Sequence, residues 1–186
     1  MTASDVVRRV PAPAAHGDRP GPDELRKIFG RFATGITVLT AGREDPRGMT
    51  ANSFTSVSLS PPLILVCVMR SASMHRVIEE HGAFAVSVLS ADQEAVARHF
   101  ADRTRPRGEK EFAAVDAVAG PNTGAPVIRG ALAWFECSLA AVHDGGDHSI
   151  FVGEVRDLGC GGDDDALLYY AGAYRLLHRD PARPAR

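Results

Sequence analysis

The sequence predicts a mainly β domain with short helices, arranged as an antiparallel barrel. Two long strand patterns, at residues 130–145 and 147–159, follow each other and are joined by DGGD, a typical hairpin turn. Along the whole chain we find roughly six or seven strand patterns and three short helical patterns. Long strands that neighbour each other in this way favour an antiparallel barrel over a parallel sheet.

The composition is that of a single domain with short tails. The 186 residues include 45% hydrophobic ones and carry a formal net charge of −2, so we expect a packed core and no nucleic-acid partner. The longest dense apolar block, PPLILVCVM, has the length of a strand, so no membrane span is expected. Three cysteines without a disulfide framework, and no signal peptide, predict a cytoplasmic protein. We expect a disordered tail at residues 1–21, one domain at 22–178 and a C-terminal tail at 179–186.

The first predicted helix lies in PDELRKIFGRFATG, residues 22–35. Pro22 suits a first helical turn, and Gly35 is a natural stop. Apolar residues recur on one face of this segment, namely Leu25, Ile28, Phe29 and Phe32. ITVLTAG, residues 36–42, then predicts a strand, and REDPRG predicts a turn.

The stretch GMTANSFTSVSLSPP, residues 48–62, predicts one extended strand up to residue 60, with a mostly apolar face and a polar face. From the residues alone, the polar face fits either the solvated side of an edge strand or a ligand-binding surface. Gly48 permits close approach of the backbone to another group. The Asn52 amide both donates and accepts, as the edge of a heterocycle requires, and the hydroxyls of Ser53 and Ser56 suit a phosphate.

The remaining elements alternate between strands and helices. LILVCVM predicts a buried strand, SASMHRVIEEHG a helix that ends at Gly82, and AFAVSVL a further strand. SADQEAVARHFA predicts a helix with a capping box between Ser90 and Gln93. Residues 102–125 give no regular pattern. After the long hairpin, ALLYY and AYRLLH predict a last strand pair.

Several of these segments together resemble the flavin reductase family, which has the FMN-binding split-barrel fold. The resemblance rests on FATGITVLTAG, GMTANSFTSVSLSPPLILVCV, HFA, GDHSIFVGEV and LLYYAGAY, in this order and spacing. It spans about residues 25–177, nearly the whole chain. The fold that it implies is an antiparallel, Greek-key-like split β-barrel.

The resemblance also implies where a flavin binds. Thr50, Ala51 and Asn52 match positions along the isoalloxazine ring, and Ser53 and Ser56 match positions near the ribityl chain and phosphate. Either Arg103 or Arg105 is expected to supply positive charge to the phosphate. The complete set of expected flavin contacts is Met49, Thr50, Ala51, Asn52, Ser53, Ser56, Cys67, His99, Phe100, Ala101, Arg103 and Tyr174.

His148 is the expected catalytic residue. A lone histidine at the start of a strand is usually solvated, but in GDHSIFVGEV this one matches the family's proposed nicotinamide contact. Near it, His143, Asp144 and Asp147 suggest a metal site at first sight. A flexible hairpin supplies poor tetrahedral geometry, however, so no metal is expected.

The activity implied by the resemblance is NAD(P)H-dependent reduction of FMN or FAD, by hydride transfer to flavin N5. NADH or NADPH is the expected hydride donor, and a partner monooxygenase is expected to receive the reduced flavin. The family pattern also implies a homodimer. The alternative is a non-catalytic flavin- or haem-binding split-barrel protein.

Overall fold

The fold is seen in a computed structural model that describes residues 20–107 and 109–177. The predicted tails lie outside the described residues, except for residues 20 and 21. The helices are α1 (Pro22–Phe29), α2 (Ser73–His81), α3 (Glu94–Ala101) and α4 (Glu109–Phe112). The strands are β1 (Thr34–Gly35), β2 (Thr37–Ala41), β3 (Arg47–Ala51), β4 (Thr55–Leu59), β5 (Pro62–Met69), β6 (Ala83–Val88), β7 (Ala117–Ala119), β8 (Pro126–Ile128), β9 (Ala133–Gly145), β10 (His148–Cys160), β11 (Leu168–Tyr170) and β12 (Ala173–Arg175).

The main sheet has seven strands in the order β3-β2-β6-β9-β10-β5-β4, and every pair in it is antiparallel. The predicted hairpin is confirmed, with β9 and β10 paired along their whole length. Two smaller sheets, β1-β11-β12 and β7-β8, flank the main one. The mainly β, antiparallel fold class is therefore confirmed.

The prediction of one continuous strand over residues 48–60 is wrong. The chain leaves the sheet after Ala51 and re-enters it at Thr55, and the two halves, β3 and β4, lie at opposite edges of the main sheet. Three residues, 52–54, make this crossing, and the four Cα steps from Ala51 to Thr55 span at most roughly 14 Å in an extended chain. The sheet must therefore curl until its two edges nearly meet, which is the geometry of a barrel.

Residues 102–125, predicted to be irregular, contain α4 and β7, and β8 begins directly after them. Tertiary contacts rather than local pattern form this region. The carboxylate of Glu136, on the buried face of β9, accepts hydrogen bonds from the backbone of Asn122 (3.2 Å) and Thr123 (2.7 Å) and from the Thr123 hydroxyl (2.6 Å). The loop between β7 and β8 closes over this carboxylate, since a Cβ at Gly120 would lie 2.2 Å from Glu136 Oε1.

The helices pack against the barrel to different degrees. The predicted helix ends at Gly82 and the capping box at Ser90 are confirmed. Helix α1 is confirmed too, although it ends at Phe29 rather than near Gly35, and none of its residues is buried. Among the described residues, no helix has the length and apolar character needed to cross a bilayer.

Candidate active site

A cavity of about 520 Å³ opens beside β3 and lies within the size range of small-molecule sites. We call it the main cavity. Its wall comes from β3 and the two residues after it, from β5, and from the loop between β5 and α2 with the start of α2. The end of α3, the segment after it, α4 and the first residue of β10 complete the wall. The lining residues are Arg47, Gly48, Met49, Thr50, Ala51, Asn52, Ser53, Cys67, Met69, Ser71, Ala72, Ser73, Met74, Phe100, Ala101, Arg103, Arg105, Pro106, Arg107, Glu111 and His148.

The outer edge of β3 presents backbone groups to this cavity. β3 is an edge strand, so alternate residues have backbone N–H and C=O groups without a strand partner. At Gly48 these groups are used by the protein: the N–H donates to Glu111 Oε1 at 3.1 Å, and the carbonyl accepts from Arg105. Because the direction alternates along a strand, the backbone groups of Thr50 face the same way. They are placed to hydrogen-bond a flat ligand in the main cavity.

Helix α3 holds β3 in place. The Thr50 hydroxyl donates to the carbonyl of Ala97 at 2.6 Å. The buried Phe100 ring lies so close to Gly48 that a Cβ there would be 2.2 Å from Phe100 Cε1. Gly48 therefore permits a tight contact between strand and helix, and this contact fixes the position of the strand's backbone.

The crossing segment after β3 is tied to β5 by Ser53. Its hydroxyl donates to the carbonyl of Cys67 at 3.0 Å and accepts from the Cys67 N–H at 3.1 Å. Burial raises the pKa of the Cys67 thiol, so this side of the main cavity carries a neutral sulfur. In contrast, the Asn52 side chain is exposed and has no hydrogen-bond partner among the described residues, so its amide is available to a ligand.

Residues 102–107, which we call the strap, close one side of the main cavity. Arg105 anchors the strap: its Nε donates to Glu111 Oε1 at 2.7 Å, its Nη1 to the carbonyl of Asp102 at 2.5 Å, and its Nη2 to that of Gly48. Glu111 is 1% exposed, so its carboxylate depends on these donors for its charge to be tolerated. Hydrogen bonds from Thr104, with the charges of Arg105 and His99, hold the pKa of Asp102 below its ordinary value.

Three other arginines direct positive charge at the main cavity. Arg103 and Arg107 line it and have no ion-pair or hydrogen-bond partner within residues 20–107 and 109–177. Arg47 differs from them: its Nη2 donates to Asp45 Oδ2 at 2.9 Å, while its buried Nη1 has no hydrogen-bond partner in the same ranges and lies 3.7 Å from Glu111 Oε2. A buried donor without a partner is costly, and an anionic ligand group would satisfy it.

His148 reaches the main cavity from the turn between β9 and β10. Its Nδ1 lies 2.7 Å from Asp147 Oδ1, and this hydrogen bond lowers the pKa of Asp147. Arg70 holds the turn through its backbone N–H, which donates to the Asp147 carbonyl at 3.0 Å, and through Nε, which donates to the Gly146 carbonyl at 3.1 Å. With Nδ1 engaged, Nε2 is the imidazole atom left for a ligand.

A second, smaller cavity of about 220 Å³ adjoins the same backbone segment. It shares Thr50, Ala51, Asn52 and Ala101 with the main cavity and adds Ile36, Tyr169 and Tyr174. The two tyrosine rings meet edge to face at 5.7 Å, and Arg98 lies 4.8 Å above the Tyr174 ring. Burial raises the pKa of Tyr174.

Comparison with known proteins identifies the family. The model of the flavin reductase like domain matches residues 29–178. The chain is 51% identical over 157 residues to the NADH-dependent FAD reductase of Streptomyces globisporus, covering 84% of this chain and 86% of that protein. It is 36% identical over 165 residues to HsaB of Rhodococcus jostii, the reductase subunit of a flavin-dependent monooxygenase, covering 88% and 82%. BorF, the flavin reductase component of a bacterial two-component tryptophan halogenase, has a TM-score of 0.82 at 52% identity, covering 86% and 100%.

The chain belongs to the flavin reductase family.

The split barrel expected of a flavin reductase is confirmed by the likeness to BorF. Most of the predicted site residues of this flavin reductase lie together. Those that line the main cavity are Met49, Thr50, Ala51, Asn52, Ser53, Cys67, Phe100, Ala101, Arg103 and His148. Their contact with a ligand stays a prediction, and the occupied hydroxyl of Ser53 favours a structural role for that residue.

Three predicted contacts lie elsewhere in the flavin reductase. Ser56 is exposed on β4 and does not line the main cavity, because the chain crosses to the opposite sheet edge before reaching it. The His99 ring is engaged with the carbonyl of Glu111, with Nε2 at 2.7 Å from the oxygen. Tyr174 lines the second cavity.

The sequence interpretation missed part of the site. Arg47, Arg107 and Glu111 line the main cavity, as does the segment at residues 71–74. The cluster of arginines in RTRPR was a usable signal for Arg107. Glu111 carried no such signal, because a glutamate between Lys110 and Phe112 has the pattern of a solvated helix position.

Proposed function

We propose that this flavin reductase binds FMN or FAD along β3, reduces it with NADH bound beside His148, and supplies the reduced flavin to a partner monooxygenase. The observation that carries the proposal is the main cavity, where the outward-facing backbone groups of Thr50, the free Asn52 amide and the guanidinium groups of Arg103 and Arg107 line one space. Neither arginine has an ion-pair or hydrogen-bond partner within residues 20–107 and 109–177. A flat heterocycle that carries a phosphate fits this lining, because the ring can bind along β3 and the phosphate can bind the arginines.

The residues present fit a flavin. The backbone of Thr50 and the amide of Asn52 provide donors and acceptors for the edge of the ring. Arg103 and Arg107 are suited to a phosphate, because a guanidinium forms bidentate, charge-assisted hydrogen bonds with it. Arg47 already pairs with Asp45 at 2.9 Å and lies 3.7 Å from Glu111. Arg105 is not part of this set, since its donors are used by Glu111, Asp102 and Gly48.

When bound, the flavin supplies the ring that accepts the hydride. The β3 backbone donors stabilise negative charge that develops at the ring edge, and they do so without reorganising, because α3 fixes the strand. His148 Nε2 orients the nicotinamide, since hydride transfer needs the two reacting atoms roughly 3–3.5 Å apart. His148 moves no proton in this step. NADH rather than NADPH is supported by the naming of the Streptomyces globisporus relative as NADH-dependent.

The proposed assembly is a homodimer. Helix α1 and the residues after it leave large apolar side chains uncovered, with Ile28 60%, Phe29 68% and Phe32 77% exposed. A second copy of the chain would bury this face. Light scattering at micromolar concentration should give the mass of a dimer, and Phe29→Glu should shift it to that of a monomer. A monomeric wild-type protein would contradict the proposal.

The proposed domain comprises residues 22–178, and the proposed location is the cytoplasm. The free thiols of Cys67, Cys137 and Cys160 are consistent with a reducing compartment. The proposed partner is a monooxygenase, because HsaB is a monooxygenase reductase subunit.

The function is tested by following oxidation of NADH and NADPH by the purified chain with FMN, FAD or riboflavin. We expect turnover with NADH and either nucleotide flavin, and weaker turnover with NADPH. Arg103→Gln and Arg107→Gln should raise KM for FMN and FAD but not for riboflavin, which has no phosphate. Arg129→Gln, at an exposed ion pair with Asp116, is the matched control.

Flavin binding without NADH oxidation would favour the alternative, a non-catalytic flavin-binding barrel. Equal effects of Arg103→Gln on FMN and riboflavin would remove the arginines from the proposed phosphate site. Failure to bind any flavin would overturn the proposal as a whole.

A further inference from the structure

A buried hydrogen bond between two polar side chains, with an exposed glutamate at its outer end, joins α2 to β10 next to the main cavity. His75 Nε2 lies 2.8 Å from Ser149 Oγ, and His75 Nδ1 lies 3.2 Å from Glu79 Oε2. His75 is 9% exposed and Ser149 1%. The order of glutamate, histidine and serine resembles a hydrolase triad, but the buried serine hydroxyl has no access to a substrate. We therefore expect these residues to have a structural role rather than a catalytic one.

The surroundings of this hydrogen bond are apolar. The His75 ring lies edge-on to the buried Phe151 ring, with the centroids 4.9 Å apart. Met74 and Ile78, its neighbours on α2, are buried in the core. Replacing two hydrogen-bonded partners with apolar groups of similar shape is often nearly neutral for stability. Stability alone therefore gives little reason for a histidine and a serine at these positions.

The positions of His75 and Ser149 along the sequence suggest why a polar pair is present here. His75 directly follows residues 71–74, which line the main cavity, and Ser149 directly follows His148. The hydrogen bond between His75 and Ser149 therefore connects two parts of the cavity wall, the segment 71–74 and His148. On the exposed side, Arg70 makes a second connection to the same turn, through the carbonyls of Gly146 and Asp147.

We propose that His75, through Ser149, is a positioning residue that sets His148 against the segment 71–74 for binding of the nicotinamide donor. This inference rests on the proposed role of His148 in the reaction. Nε2 is the ring atom that pairs with the Ser149 hydroxyl, while Nδ1 faces the Glu79 carboxylate at 3.2 Å. Without the hydrogen bond between His75 and Ser149, the first turn of α2 and the start of β10 can move apart. The nicotinamide donor then binds more weakly, because the two parts of its site are no longer held at a fixed distance.

The test uses the double variant His75→Phe/Ser149→Ala in the full-length protein. We expect thermal stability close to wild type, KM for NADH raised about three- to tenfold, and flavin affinity within about twofold of wild type. His75→Gln retains an amide nitrogen at the place of Nε2 and should restore KM for NADH. Arg76→Gln, on the exposed face of α2 and paired with Glu80 at 3.0 Å, is the matched control.

Three outcomes would overturn the proposal: a double variant with wild-type KM for NADH, a parallel loss of flavin and NADH affinity, or a His75→Gln variant as stable as wild type whose KM for NADH is raised as much as that of the double variant. The single variants His75→Phe and Ser149→Ala are expected to be less stable than the double variant, since each leaves a buried polar atom without its partner. His148→Ala is measured alongside. An unchanged KM for NADH in that variant would refute the role of His148, and the proposed function at that step, independently of His75.

Discussion

Gly48→Ala tests the contact that holds β3 against α3. The added Cβ would lie 2.2 Å from Phe100 Cε1 and 2.4 Å from Cδ1, well inside contact distance. The Phe100 ring is 1% exposed and packs against Phe112 with the centroids 5.2 Å apart, so it has little room to retreat. Overpacking of this kind typically costs about 1–3 kcal/mol. For a chain of this size, that corresponds to a fall in Tm of about 2–12 °C.

The same substitution should also weaken flavin binding. If β3 moves enough to lose one backbone hydrogen bond to the ring, worth about 0.5–1.5 kcal/mol, affinity falls about 2- to 13-fold. Thermal unfolding and fluorescence titration with FMN measure the two effects on one preparation.

Gly35→Ala is the matched control for this experiment. No heavy atom lies within 4 Å of a Cβ at that position, so stability should stay within about 0.5 kcal/mol of wild type. A Gly48→Ala variant with wild-type Tm and wild-type FMN affinity would show that the strand–helix contact does not position the flavin site.

Three further predictions concern single side chains. Asn52→Ala should weaken flavin binding by roughly 1–3 kcal/mol, measured by titration, and wild-type affinity would exclude the amide as a ring contact. His148→Ala should raise KM for NADH up to about tenfold in steady-state kinetics, with flavin affinity unchanged, whereas a 10²–10⁴-fold, pH-dependent loss would indicate an obligatory acid, by the usual scale of such catalysis. At pH 8, alkylation followed by mass spectrometry should modify exposed Cys160 before Cys67, because a raised pKa keeps the Cys67 thiol protonated to higher pH; equal rates would contradict this.

Elements with a strong local pattern were predictable from the sequence. The long hairpin is predicted by two adjacent strand patterns and a glycine turn between them, and the capping box at Ser90 is a local motif. The break in residues 48–60 was not predictable in this way, because alternation of side chains continues across it. What interrupts the strand is the Ser53 hydroxyl bound to the backbone of Cys67, a contact between residues 14 positions apart.

In the candidate site, too, features with a local sequence pattern were predictable and features formed by tertiary contacts were not. The β3 segment was found from its polar residues and from the family resemblance. The anchoring of the strap could not be predicted. The role of the Glu111 carboxylate depends on its tertiary partners, Arg105 and the N–H of Gly48, which are 6 and 63 residues away in the sequence. Choosing between Arg103 and Arg105 likewise required knowing which guanidinium already has partners.

The unpaired outer edge of β3 has a consequence for the tolerance of this chain to mutation. A recognition surface built from main-chain atoms does not change chemically when Met49 or Thr50 is exchanged for another residue that keeps the strand in place. In a library randomised at Met49, many variants should therefore retain flavin binding, whereas few should do so when Gly48 is randomised. If flavin binds as proposed, the side chains of β3 can diverge while the main-chain hydrogen bonds to the ring are kept.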